Sequence, residues 1–273
     1  MVELLKATIP PMIVMGGMGA IFAIGLGIAA RVFYVYVDPR IREVEEFLGG
    51  ANCGGCGYAG CSDCAGAIVE GKVPVTACIL VGPENYKEIA SIMGVTVEEA
   101  AEKKVARILC RGTIDKSTRR FEYMGIEDCR AAALVAGGNK DCAYGCLGLG
   151  TCVKNCPFGA MTMGEDGLPK VDEEKCVGCG TCVSVCPRGV PHLLPISQNI
   201  YVPCNSHDLG KIVKAICEVG CQGCGICRKN CPEKAITIDK FLSIVNPEKC
   251  DPKKCHLECI EKCPNDVIQK IAA

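Results

Sequence analysis

The chain has 273 residues, enough for one large domain or several small ones, and it holds 25 Cys and 32 Gly but no Trp, 6 Phe and 7 Tyr. So few rings would fill a conventional core of this size poorly, and a formal net charge of −1 excludes a generally basic, nucleic-acid-binding chain. An odd cysteine count and tight clusters such as Cys221, Cys224, Cys227 and Cys231 argue against a disulfide framework and for metal ligation.

Residues 1–33 read as a membrane anchor. No charge occurs from Ile9 to Ala30, between Lys6 and Arg31; about 22 residues at 1.5 Å each make roughly 33 Å of helix, enough to cross a bilayer core. The run exceeds the apolar core of a cleaved signal peptide. Gly19, Ala23 and Gly27 recur every fourth residue, a stripe suited to close packing on another membrane helix. Arg31, Arg40 and Arg42 follow the span and only Lys6 precedes it. The expectation is therefore a single-pass protein of the cell (inner) membrane with its soluble part on the cytoplasmic side, where thiols stay reduced.

Residues 34–108 are expected to form a small domain of helices around a Cys-Gly-Gly-Cys run. Asp38-Pro39 caps a short helix whose face is Ile41, Val44, Phe47 and Leu48, ended by Gly49-Gly50. Cys53-x2-Cys56-x4-Cys61-x16-Cys78 supplies four thiolates among glycines that let backbone approach a cluster. Gly55-x-Gly57-x-x-Gly60 also matches a dinucleotide fingerprint, but no predicted strand precedes it. Cys64 is left over, as an alternative ligand or as a small buried residue. Residues 81–108 read as helical, with Thr96 and Glu99 as a capping box.

Residues 137–195 and 219–273 are an internal repeat of two eight-cysteine blocks, joined by a linker, 109–136, with Cys110 and Cys129, and a connector, 196–218, with Cys204 and Cys217. In each block Cys-Pro leads into a short hairpin, Ala-Met-Thr-Met in the first and Ala-Ile-Thr-Ile in the second, and then Glu-Lys-Cys. Such a hairpin is unstable alone, so the cysteine clusters must complete the core.

Cys176-x2-Cys179-x2-Cys182-x3-Cys186-Pro187 and Cys221-x2-Cys224-x2-Cys227-x3-Cys231-Pro232 have the bacterial ferredoxin spacing, in which three cysteines of one run hold a cube and the fourth ligates its neighbour. Zinc is the alternative, but it prefers cysteine pairs a dozen or more residues apart. The runs Cys142-x3-Cys146-x5-Cys152-x3-Cys156 and Cys250-x4-Cys255-x3-Cys259-x3-Cys263 are widened. Crossing the fourth ligands gives four expected sets: Cys142, Cys146, Cys152 with Cys186; Cys176, Cys179, Cys182 with Cys156; Cys221, Cys224, Cys227 with Cys263; and Cys250, Cys255, Cys259 with Cys231. With the juxtamembrane four, this makes five clusters. The leftover Cys110, Cys129, Cys204 and Cys217 make a sixth set, or else four buried structural thiols. Lys154, Arg228, Lys229, Lys234, Lys253 and Lys254 lie near these loops and would balance cluster charge. His192, His207 and His256 follow no metal-site spacing.

The expected fold class is α+β: an N-terminal transmembrane helix, a small [4Fe–4S] domain and two bacterial-type 2[4Fe–4S] ferredoxin modules. The chain has no nucleophile–base pair, no phosphate loop, and no flavin or NAD site of its own, and no residue is expected to be catalytic. That pattern describes an electron wire. Two readings stand beside it: the iron–sulfur subunit of another membrane-bound reductase with a substrate site in 81–135, and an Fe–S carrier or scaffold.

Across Ala51-Asn52-Cys53-Gly54-Gly55-Cys56-Gly57-Tyr58-Ala59-Gly60-Cys61, and in the order of span, cluster domain and ferredoxin blocks, the sequence resembles the B subunit of the Rnf complex, in a long form with two blocks. The resemblance implies the electron-transfer subunit of a ferredoxin:NAD oxidoreductase that transports Na⁺ or H⁺. Its implied partners are soluble ferredoxin as electron donor, other membrane and peripheral subunits, some holding flavin, and membrane lipid.

Overall fold

The structure, a computed structural model, describes residues 2–34, 36–96, 102–252 and 254–271. Glu99 of the expected capping box and Lys253 of the basic group lie outside them.

Helix α1 (Val2–Val32) carries the one stretch among the described residues long and apolar enough to cross a membrane, Met12–Val32, with none of it buried against the rest of the chain. Three helices follow, α2 (Pro39–Glu46), α3 (Cys61–Val69) and α4 (Pro83–Met93). Asp38 caps α2 by accepting from the Arg40 backbone N–H at 3.0 Å, with Pro39 in the first turn, where its missing N–H costs nothing. The core they enclose is ordinary side-chain packing: Val44, Leu48, Ile68 and Ile89 are buried together with Cys64 and Cys78. Gly94, in the left-handed region, ends α4.

The remainder consists of short elements: β1 (Lys104–Ile108), α5 (Cys129–Leu134), α6 (Thr151–Lys154), β2 (Met161–Met163), β3 (Pro169–Val171), α7 (Thr181–Ser184), β4 (Pro191–Pro195), β5 (Ile200–Tyr201), α8 (Gly210–Ile216), α9 (Ile226–Lys229), β6 (Ile236–Asp239), β7 (Leu242–Val245), α10 (Glu258–Glu261) and β8 (Gln269–Lys270). They form four antiparallel pairs, β1–β4 and β2–β3 in the first block, β5–β8 and β6–β7 in the second. Each block is therefore an inner hairpin between its cysteine runs and an outer pair that joins its beginning to its end.

Two features differ from the sequence reading. Residues 104–108, read as the end of a helical stretch, are a strand that pairs with β4, Ala106 opposite Leu193. Residues 200–201, read as connector, pair with 269–270 and close the second block. The first block thus begins before its cysteines, and residues 109–141 are an insertion between its first strand and its first cysteine run.

The block cores show what replaces the missing rings. One contains Val105, Ala106, Ala160 and Met161 with Cys152, Cys176 and Cys182; the other Ile200, Val202, Ile236 and Val267 with Cys204, Cys221, Cys227 and Cys259. Thiols occupy the positions that aromatic side chains hold in other small domains.

Candidate metal centres

The chain turns the same way at each cysteine run. Gly150, Gly180 and Gly225 lie in the left-handed region immediately before α6, α7 and α9, and each short helix then points the third cysteine of its run, Cys152, Cys182 or Cys227, inward. At α10 the same place is taken by Leu257, at φ 60°. After three of the four Cys-Pro pairs the backbone N–H four residues beyond the cysteine donates to its sulfur: Val190 to Cys186 Sγ at 3.4 Å, Ala235 to Cys231 Sγ at 3.3 Å and Val267 to Cys263 Sγ at 3.3 Å. Further donors reach Cys176 Sγ from the Ala106 N–H (3.4 Å), and Ser243 Oγ lies 3.3 Å from Cys227 Sγ. Hydrogen bonds to thiolate sulfur favour the anionic form that iron requires.

Five voids follow, alike in size at 330 to 440 Å³ with their mouths included, and four cysteines line each. Three hold expected sets: Cys156 with Cys176, Cys179 and Cys182; Cys221, Cys224 and Cys227 with Cys263; and Cys231 with Cys250, Cys255 and Cys259. Among the described residues no group of His, Cys, Asp and Glu side chains has the arrangement that holds a single metal ion. The thiols stand around a space, which suits a polynuclear cube.

The other two voids depart from the spacing argument by one exchange. Cys129 lines a void with Cys146, Cys152 and Cys186, where Cys142 was expected. Cys142 lines another with Cys110, Cys204 and Cys217, where Cys129 was expected. Thr151 shows why Cys129 turns this way: buried at the start of α6, its hydroxyl accepts from the Cys129 backbone N–H at 2.6 Å. Asp128 caps α5 at the same point, accepting from the Arg130 and Ala131 backbone N–H groups. The Arg130 side chain beside Asp128 holds that carboxyl down to about 2.

In the juxtamembrane domain, Cys56, Cys61 and Cys78 pack against the helical core around Cys64, and Cys53 is half-buried on the preceding loop. The Cys61 backbone N–H donates to Asn52 Oδ1 at 2.7 Å, and Tyr86 Oη donates to the Cys78 carbonyl at 2.7 Å. Cys64 is fully buried, and burial together with Cys56 pushes its thiol up to about 12. Gly55 lies on the first block: a Cβ there would stand 3.1 Å from Cys179 Cβ. The dinucleotide-like glycines lie in a loop with no strand ahead of them, Gly55 and Gly60 in close packing and Gly57 in the left-handed region.

Burial is the largest influence on several other thiols, raising Cys146, Cys182 and Cys204 to about 12 and Cys152 and Cys259 to about 11. Without metal these groups hold their protons, and metal binding must release them. The cations that answer the sites differ from those the sequence suggested. Lys154 pairs with Glu127 and Lys254 with Asp251 at the surface, whereas Arg107, Lys140 and Arg188 are drawn inward. Arg107 is 6% exposed and pairs with Glu173. Lys140, 3% exposed, donates to the Gly112 carbonyl. Arg188 donates to the carbonyls of Gly137, Cys142 and Gly145. His192 contacts the Gly189 carbonyl, and His207 stacks edge-on against Tyr144.

Repeated cysteine voids on ferredoxin-like blocks, behind a helix long enough to span a membrane, define a membrane-anchored iron–sulfur protein of ferredoxin type. Known families divide the chain the same way: an Fe–S cluster family matches residues 48–80, a 4Fe–4S dicluster domain residues 141–190, and a Fer4-like domain described in RNase L inhibitor residues 242–266. Over almost its whole length the chain is similar to three named proteins, each the B subunit of its complex. It is 46% identical to that of the Na(+)-translocating ferredoxin:NAD(+) oxidoreductase complex of Acetobacterium woodii, over 97% of this chain and 78% of the relative. It is 44% identical to that of the ion-translocating oxidoreductase complex of Methanosarcina acetivorans (94% and 96%), and 42% identical to that of the proton-translocating ferredoxin:NAD(+) oxidoreductase complex of Clostridium ljungdahlii (96% and 92%). The chain belongs to this family, the B subunits of the ion-translocating ferredoxin:NAD oxidoreductase (Rnf) complex.

Proposed function

We propose that the cysteine quartets hold [4Fe–4S] clusters and that the chain is the electron-transfer subunit of an ion-translocating ferredoxin:NAD oxidoreductase, receiving electrons from reduced soluble ferredoxin and relaying them to partner subunits at the membrane. The observation that carries this reading is the repeated void: four thiols drawn from separated segments, with backbone N–H groups aimed at the sulfurs. When bound, each cluster supplies one-electron chemistry at low potential. The protein's part is to hold the sulfurs apart at cube spacing, to exclude water from most of them and to offset their charge. Cys224 is the one exposed cysteine, so one edge of its quartet lies at the surface, where a soluble donor can approach.

Five sites follow in this reading, with ligands Cys53, Cys56, Cys61 and Cys78; Cys156, Cys176, Cys179 and Cys182; Cys129, Cys146, Cys152 and Cys186; Cys221, Cys224, Cys227 and Cys263; and Cys231, Cys250, Cys255 and Cys259. Residues 12–32 cross the membrane once with the blocks on the cytoplasmic side, beside lipid and the other subunits. The relatives carry names with Na⁺ and with protons, so the coupling ion is a property of the complex.

The test is anaerobic purification of the full chain in mild detergent, followed by titration with reduced ferredoxin under low-temperature EPR. The expected result is the successive appearance of several reduced [4Fe–4S] signals, with no reduction by NADH when the other subunits are absent. Fewer than four stable centres, or rapid loss of clusters to an acceptor protein, would overturn the relay.

A further inference from the structure

We infer that Cys110, Cys142, Cys204 and Cys217 form a sixth [4Fe–4S] site, seated between the two ferredoxin-like blocks and joining them. The inference rests on the relay reading above and extends it to cysteines that lie mostly outside the matched cluster regions, which cover 48–80, 141–190 and 242–266.

The four thiols come from both sides of a joint. Cys110 follows β1 and Cys142 opens the first cysteine run, whereas Cys204 follows β5 and Cys217 ends α8. The joint is hydrogen-bonded independently of any cofactor. Ser117 and Cys217 form an antiparallel bridge, the Thr118 N–H donates to the Ile216 carbonyl at 3.0 Å, the Glu218 N–H to the Lys116 carbonyl at 3.0 Å, and Lys116 pairs with Glu218 at 3.0 Å.

Three observations say what the void is built to take. First, glycine faces the sulfurs: a Cβ on Gly112 would stand 3.6 Å from Cys110 Sγ, on Gly145 3.5 Å from Cys142 Sγ, and on Gly220 3.6 Å from Cys217 Sγ. All three glycines line the void, so backbone rather than side chain stands beside the sulfurs at these three positions. Second, two drawn-in cations border it. Lys140 lines the void and donates to the Gly112 carbonyl, with no carboxylate ion pair among the described residues; Arg188, which lines the neighbouring void, donates to the carbonyls of Cys142 and Gly145, which line this one. A buried ammonium without a counter-ion is costly, and an anionic four-thiolate centre is the missing counter-ion. Third, each block reaches the site through a ligand of its own neighbouring site. The Cys146 N–H donates to Cys110 Sγ and the Cys221 N–H to Cys204 Sγ, both at 3.4 Å. The same bond is made once from the first block and once from the second.

That symmetry gives the sites an order. Through Cys146 the joint adjoins the Cys129 void, whose Cys152 packs in one core with Cys176 and Cys182 of the next; Cys179 there meets Gly55 of the juxtamembrane domain. Through Cys221 it adjoins the Cys224 void, whose Cys227 packs in one core with Cys259 of the last. An electron moving between the blocks passes through the joint, arriving and leaving singly, so no other reactant enters.

Iron counting on paired substitutions in the full chain tests both the site and its ligands. With six sites the native chain holds about 24 iron atoms, four per cube. Cys110→Ala with Cys142→Ala should remove about four, because both serve one site; Cys110→Ala with Cys129→Ala should remove about eight. The reverse pattern, eight for the first pair and four for the second, would overturn this ligand set. About 20 iron atoms in the native chain would sink the sixth site and leave the five-site relay standing. Should the alanine variants fold poorly, the single serine variants Cys110→Ser, Cys142→Ser and Cys129→Ser decide it by EPR. The first two should alter the same centre and the third a different one, and any other grouping refutes the assignment.

Discussion

The two ferredoxin-like blocks have the same plan and the same imperfection, and they use the imperfection differently. Each has one regular cysteine run and one widened run. In the second block the widened run, Cys250 to Cys263, still serves only voids of its own block. In the first, the widened run is opened by Cys142, which turns to the joint, while Cys129 from the inserted α5 takes the place it leaves. An irregular spacing therefore has two meanings, a loosened loop or a cysteine turned to another void, and only the neighbouring chain separates them. The insertion of residues 109–141 supplies the replacement in the first block; the corresponding segment of the second, 202–220, sends Cys204 and Cys217 to the joint.

Removing iron should show the largest effect and ask whether the blocks are alike in what holds them. Cysteines make up a larger share of each block's core than of the core enclosed by α2, α3 and α4, where Cys64 and Cys78 lie among mostly aliphatic side chains. Chelation after anaerobic oxidation should unfold both blocks, read as lost backbone amide protection, and leave protection in α2 and α4. Persistence of one block would end the parallel between them. A smaller effect is expected from Lys140→Met, which removes a cation near the joint at similar volume. The extra electron of a reduced centre is then less well balanced, so the joint's potential should fall by tens of millivolts, about 59 mV for each tenfold change in a one-electron equilibrium. The centre at Cys231, Cys250, Cys255 and Cys259 should not move in the same redox titration. The smallest effect lies in the backbone. After each Cys-Pro the repeat needs a left-handed residue; the first block uses Gly159 and Gly189, and the second uses Lys234 at φ 50° and Asp266 at φ 47°. Because that conformation strains a side chain, the exposed Lys234→Gly should raise stability by up to about 1 kcal/mol and Gly189→Ala should lower it by a similar amount, measured by denaturant unfolding of the holo chain.

The cysteine runs were legible because a cube takes three ligands from one short loop, so its geometry is written in local spacing. The exchange of Cys129 and Cys142 was not, because it depends on the Thr151 hydroxyl and on a joint closed by residues about a hundred positions apart. Strand β1 was hidden for another reason. Val105 and Ala106 are both buried, one on each side of the pair, so the alternation that marks a half-exposed strand is absent; β5 and β8, two residues each, are too short to carry a pattern. The buried cations Lys140 and Arg188 had no signal at all, since burial of a charge is a property of what surrounds it. The span and the Asp38-Pro39 helix start were legible.

Only Phe33 to Asp38 separate α1 from α2. Six residues extend at most about 3.5 Å each, so this leash is no longer than roughly 20 Å. With residues 12–32 across a bilayer, as proposed, a chain held so closely could not wander through the cell volume; it would move in a plane, its juxtamembrane end within a thin layer over the lipid. In that arrangement an electron taken up from solution is delivered close to the bilayer, where a partner embedded in the same sheet need only arrive sideways.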